Sequence, residues 1–142
     1  MQFRSIGLLL AIIGLAGCAV APKITPVQDR SQLKNVCIIQ NPKVKVADFI
    51  QVLQDRLNYH QISTHVIHAD AAGSCPITLT YTATRSWDFV PYLIHAEIQI
   101  WKDEHIISHG EYRLLNGFKK WQRTATKINP IIDEMVTGIK QN

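Results

Sequence analysis

Four side chains in this sequence have the chemistry of a metal or small-ligand site. His95 and Glu97 stand two apart, and so do His109 and Glu111. Residues two apart on an extended strand share a face, and imidazole with carboxylate makes a proper zinc ligand set. If their strands are neighbours, the four converge. The plainer expectation for them is a solvated strand face, so no metal is assigned. Arg85, Ser86, Trp87 and Asp88 form a second group. A Ser–Asp pair without a positioned histidine is no catalytic triad. These residues read either as a turn fixed by an Arg85–Asp88 pair, with Trp87 over the sheet end, or as a partner-recognition spot. In a third group Lys119, Lys120 and Arg123 flank Trp121, with Phe118 nearby. Cationic side chains beside an interfacial tryptophan suit lipid or lipopolysaccharide headgroups, although a solvated loop has the same composition. The chain has no phosphate-cradling Walker loop, dinucleotide fingerprint, HExxH or Gly-x-Ser-x-Gly motif. It is therefore expected not to be an enzyme, with no catalytic residue and no cofactor.

The elements that must carry these groups can be read from periodicity. Ile77, Leu79, Tyr81 and Ala83 alternate with Thr78, Thr80, Thr82 and Thr84, which predicts a strand with one apolar and one hydroxyl face. Asp88 to Pro91 is the expected turn after it. Tyr92 to Lys102 is the next strand, with Ile94, Ala96, Ile98 and Ile100 on the inner face and Leu93, His95, Glu97, Gln99 and Trp101 on the other. Asp103 to His105 then turns the chain, and Ile106, Ser108, Gly110, Tyr112 and Leu114 supply the inner face of a third strand. A three-residue loop pairs Ile98 with Gly110 and Glu97 with Glu111. A two-residue loop would shift the parity, and a slip of one residue turns every side chain to the wrong face. The first register is therefore expected.

Upstream, Val36 to Ile39 is a continuous apolar run of the kind found in a buried strand, stopped by Asn41-Pro42. Val46, Phe49, Ile50, Leu53 and Leu57 make one face of an amphipathic helix, and Ile62 to His68 returns as a strand. At the other end Ile128, Ile131, Ile132, Met135, Val136 and Ile139 repeat at helical spacing. Pro130 is tolerated in a first turn, so Asn129 is the expected cap, with a preceding turn from Thr124 as the alternative. The fold class expected is α+β, a two-layer sandwich. Its sheet is mixed and mostly antiparallel, with five strands in the order β-α-β-β-β-β-α, and both helices lie on one face. The threonine face is left open.

A length of 142 residues argues for one domain, and 46% hydrophobic with 18% charged residues is ordinary globular composition. Arg4 is the only charged side chain in the first 17 residues, so 14 basic and 11 acidic residues fall in the rest. That bias is far from a nucleic-acid footprint.

Met1 to Arg4 is a short positive start, Ile6 to Leu15 an apolar run of ten residues, and Leu15-Ala16-Gly17-Cys18 follows. This is the pattern of a secretory signal peptide, too short to remain as a spanning helix. The last four residues resemble the lipobox of bacterial lipoproteins, which implies lipidation of Cys18 as the new N-terminus. Acyl chains hold a protein to a bilayer at ~0.8 kcal/mol per buried CH₂. Ala19 in place of an aspartate implies sorting to the outer membrane, facing the periplasm. The resulting division is 1–17 signal peptide, 18–33 lipidated N-terminus and tether, and 34–142 a single periplasmic domain. The tether, with Pro22 and Pro26, reads as a spacer lifting the domain off the bilayer. With Cys18 lipidated, Cys37 and Cys75 remain. An even number of cysteines in an oxidising compartment reads as a disulfide, two buried thiols being the alternative.

The domain also resembles a family of small uncharacterised proteobacterial lipoproteins. The matching stretches are Val36-Cys37-Ile38, Leu79-Thr80-Tyr81-Thr82-Ala83 with Arg85-Ser86-Trp87-Asp88, His95-Ala96-Glu97, and Lys120-Trp121 with Asp133-Glu134. In layout it is similar to LptE-like lipoproteins. No activity comes with either likeness. Two functions are expected in turn. The first is a non-catalytic accessory or adaptor protein of the cell envelope, with an envelope protein partner. The alternative is a small-ligand or metal-binding lipoprotein using His95, Glu97, His109 and Glu111.

Overall fold

A computed structural model of the chain describes residues 23–138. The expected signal peptide, Cys18 and Ile139 lie outside the described residues. The fold is α+β. Its strands are β1 (Ile24–Thr25), β2 (Asn35–Ile39), β3 (Ser63–Ile67), β4 (Ile77–Asp88), β5 (Val90–Lys102) and β6 (His105–Arg113), and its helices α1 (Phe49–Tyr59) and α2 (Thr124–Thr137). They form one six-stranded mixed sheet in the order β1-β6-β5-β4-β2-β3. The β1–β6, β6–β5 and β5–β4 pairs are antiparallel, and β4–β2 and β2–β3 parallel.

The sixth strand corrects the expected count of five. Ile24 pairs with Gly110 and Thr25 with His109. Val27 and Leu33 are buried in the core, and the Val27 amide donates to the Met135 carbonyl at 2.8 Å. From Lys23 onward, then, the stretch expected to be a free spacer belongs to the folded unit. Two well-placed apolar side chains suffice to draw a short polar segment onto a sheet edge, and that segment has no period to betray it.

The core follows the alternation. Ile77, Leu79 and Tyr81 of β4, with Ala96, Ile98 and Ile100 of β5, are buried against Phe49, Leu53 and Leu57 of α1 and Ile128, Ile132 and Met135 of α2. The Tyr81 ring stacks on Phe49 with centroids 5.3 Å apart. The Thr82 and Thr84 hydroxyls on the opposite face are exposed, and Thr80 accepts the Trp101 indole N–H at 2.8 Å. Cys37 and Cys75 form a disulfide between β2 and the entry to β4.

Two bulges revise the expected faces. Thr84 pairs with His95 but Arg85 with Leu93, so Ile94 is an extra residue in β5. Beyond it the parity reverses: Leu93 is buried in the core and Ile94 only partly covered. Likewise Ile100 pairs with Ser108 but Trp101 with Ile106, leaving Ile107 extra in β6. The hairpin loop is thus the two residues Asp103 and Glu104, both at positive φ (49° and 64°), and not three. The bulge restores the parity that this shorter loop loses. Ile98 still faces Gly110, Glu97 faces Glu111 and Ala96 faces Tyr112. Ile107 packs on the core, while Ile106 turns out to solvent, 47% exposed.

The last helix begins at Thr124 and runs through Pro130. Proline inside a helix lacks the N–H owed to the carbonyl four residues back, here Thr126. Burial of Ile128, Ile131, Ile132, Met135 and Val136 outweighs that loss.

Candidate functional site

The second and third residue groups meet at one end of the molecule. β4 and β5 run on past the helices to a tip at Phe89, whose φ of 60° closes the turn. Arg113 ends β6, and residues 114–123, with a short 3-10 turn at Gly117–Lys119, pack beside this tip. Lys120 is the latch. Its ammonium pairs with the Asp88 carboxylate, and it lies 4.3 Å from the Trp121 ring centroid and 5.8 Å from that of Tyr92. The Trp121 indole N–H reaches the Asp88 carbonyl at 3.4 Å.

Asp88 is therefore held by Lys120 and not by Arg85. Residues three apart on a strand point to opposite faces, so the expected Arg85–Asp88 pair cannot close. Arg85 lines a cleft with Tyr92, Trp121 and Arg123. Trp87, expected to pack over the sheet end, is 70% exposed; Phe89 is 87% and Phe118 99% exposed. Val90, Leu115 and Trp121 are exposed too. Single exposed apolar side chains are ordinary, but a group of them at one end is a candidate interaction surface. Lys119 and Arg123 border that group.

The open face brings His95, Glu97, His109 and Glu111 together as two diagonal pairs. His95 Nε2 is 2.9 Å from Glu111, and His109 Nε2 is 3.1 Å from Glu97. Gln99 also donates to Glu97, and Arg113 to Glu111 at 2.7 Å. The Arg113 and His95 hydrogen bonds hold the Glu111 carboxyl below its ordinary pKa. The two facing carboxylates thus each have hydrogen-bonding partners, Arg113 and His95 for Glu111 and His109 and Gln99 for Glu97. Among the described residues no group of three or more His, Cys, Asp or Glu gathers in a metal-binding cluster.

Two clusters escaped the sequence. Asp133 of α2 receives a bidentate pair from Arg56 of α1, both contacts at 2.5 Å, and His60 Nε2 at 2.7 Å. Those hydrogen bonds, Arg56 first, lower the Asp133 pKa despite its partial burial. The other cluster centres on Lys127, buried under β6. Its ammonium donates to the Leu93 carbonyl at 3.0 Å and the Lys120 carbonyl at 2.7 Å. Burial alone lowers its pKa. The signal existed: Lys127, Ile131 and Met135 recur every four residues on one stripe. It was hidden by starting the helix at Pro130.

No protein-family model matches the chain, and none of the curated proteins does. Among solved structures, PelC from Paraburkholderia phytofirmans, a dodecamer, is similar with a TM-score of 0.53 at 9% identity, covering 78% of this chain and 98% of that one. A point variant of the same dodecamer gives 0.52 at 9% identity, over 78% and 97%. At such identity the likeness is one of fold.

Proposed function

We propose that this chain is a non-catalytic accessory lipoprotein of the cell envelope. It is anchored to the outer membrane through Cys18 and faces the periplasm, and the aromatic and basic end of its sheet holds a protein partner. The observation that carries this reading is the joint exposure of Trp87, Phe89, Leu115, Phe118 and Trp121 beside Lys119 and Arg123. Aromatic and cationic side chains dominate the energetics of protein interfaces. A latch that fixes the hairpin tip also lowers the ordering entropy lost on docking.

The test is crosslinking and co-purification from membranes of cells making the full chain. One stoichiometric envelope protein should be recovered, and F89A/F118A should lose it without loss of fold. Recovery undiminished by that variant, or no partner at all, overturns the reading. Because the similar PelC structures are dodecamers, the mass of the purified complex should be measured as well. It separates a different protein from further copies of this chain.

A further inference from the structure

A cavity of about 460 Å³ opens between β6, the segment after it and α2. Its lining is of two kinds. Tyr112, Leu114, Leu115, Pro130 and Ile131 are apolar. Lys23, Arg113, Lys119 and Lys127 contribute cations, against the single carboxylate of Glu111. That carboxylate is already engaged by Arg113 and His95.

Lys127 gives the cavity its meaning. The residue is 5% exposed, and among the described residues no carboxylate lies within 4.0 Å of its ammonium. An ammonium has three N–H groups, and the Leu93 and Lys120 carbonyls take two. One donor remains, and the nearest further partner for the charge is the Tyr112 ring of the cavity wall, its centroid 5.8 Å away. A buried charge is retained at low free energy only when it is paired. We propose that this cavity binds an amphiphilic anion, with its phosphate or carboxylate head on Lys127, Lys119 and Arg113 and its alkyl chain along Tyr112, Leu114 and Ile131. Burial lowers the Lys127 pKa, and an anion beside the ammonium would favour its charged form. The cavity shares Leu115 and Lys119 with the border of the aromatic tip, but its test reads an anionic ligand and not a protein, so the two readings fail separately.

The experiment is thermal unfolding of the full chain in non-ionic detergent, titrated with octyl phosphate, octyl glucoside or inorganic phosphate. Octyl phosphate should raise the transition at concentrations where the other two do not. K127M keeps the aliphatic stem and should weaken the effect roughly tenfold or more, since a charge-assisted hydrogen bond is lost. R113Q/K119Q, at the rim, should weaken it too, and it serves if K127M fails to fold. A shift with octyl phosphate no larger than with octyl glucoside overturns the proposal. So does an equal shift with inorganic phosphate, or undiminished response in the folded variants.

Discussion

Gly110 on β6 lies directly beneath Met135 of α2. A β-carbon built at Gly110 would sit 2.5 Å from the Met135 sulfur and closer still to Ile131. The helix rests on the strand at this point because the strand has no side chain there. G110A should therefore destabilise the protein by about 1–3 kcal/mol through overpacking. In an M135A background the same change should cost less, since the two sites share the space. Urea midpoints of the four proteins give the coupling; equal losses in both backgrounds would refute the contact.

The parallel β2–β4 pair is short, only Cys37 with Thr78 and Ile38 with Leu79. The Cys37–Cys75 bond closes a loop of 38 residues across that weak seam. Chain entropy assigns such a crosslink about 4 kcal/mol. C37S/C75S should unfold at lower urea by that order, and reductant should shift the wild type but not the variant.

The Asp133 carboxyl is lowered by Arg56 and His60, so it contributes stability above its ordinary pKa of about 3.9. That contribution is lost as pH falls below this value toward the folded-state pKa. Asp29 and Glu111 are held low as well, so the wild-type acid slope is shared. D133N should cost roughly 1–2 kcal/mol at pH 7, a figure reduced by partial exposure of the pair. Its unfolding free energy should fall less steeply below about pH 4 than that of the wild type. Parallel slopes would leave the helix–helix pair without energetic weight.

Glu104 holds a left-handed backbone, φ 64°, at the second position of a two-residue hairpin loop. Such loops favour glycine there, because a β-carbon at positive φ crowds the following carbonyl. E104G should stabilise the protein by about 0.5–1 kcal/mol. Thermal unfolding of the variant measures it directly.

Strict alternation in Ile77 to Ala83 and in Ala96 to Ile100 made the central strands, their inner face and the Ile98–Gly110 register legible. The two helical faces and the disulfide pair were legible for similar reasons: apolar spacing and an even cysteine count. What stayed hidden shares one cause. Ile94 and Ile107 are apolar residues whose face depends on a bulge, and a bulge has no residue type of its own. The edge strand at Ile24–Thr25 takes its conformation from β6. The open-face residues were placed correctly opposite one another, but their diagonal His–Glu pairing depends on side-chain rotation. The Lys120–Asp88 latch joins residues 32 apart, beyond any local period.

For the proposed lipid anchor, the pairing of Ile24 with Gly110 would also set the length of the leash. With a lipid on Cys18, only residues 19–23 would separate the acylated cysteine from the sheet. At ~3.3–3.6 Å per residue, Ile24 would stand within roughly 20 Å of that cysteine. The β6 margin, with the mouth of the cationic cavity beside Lys23, would then ride close over the headgroups instead of ranging freely above them.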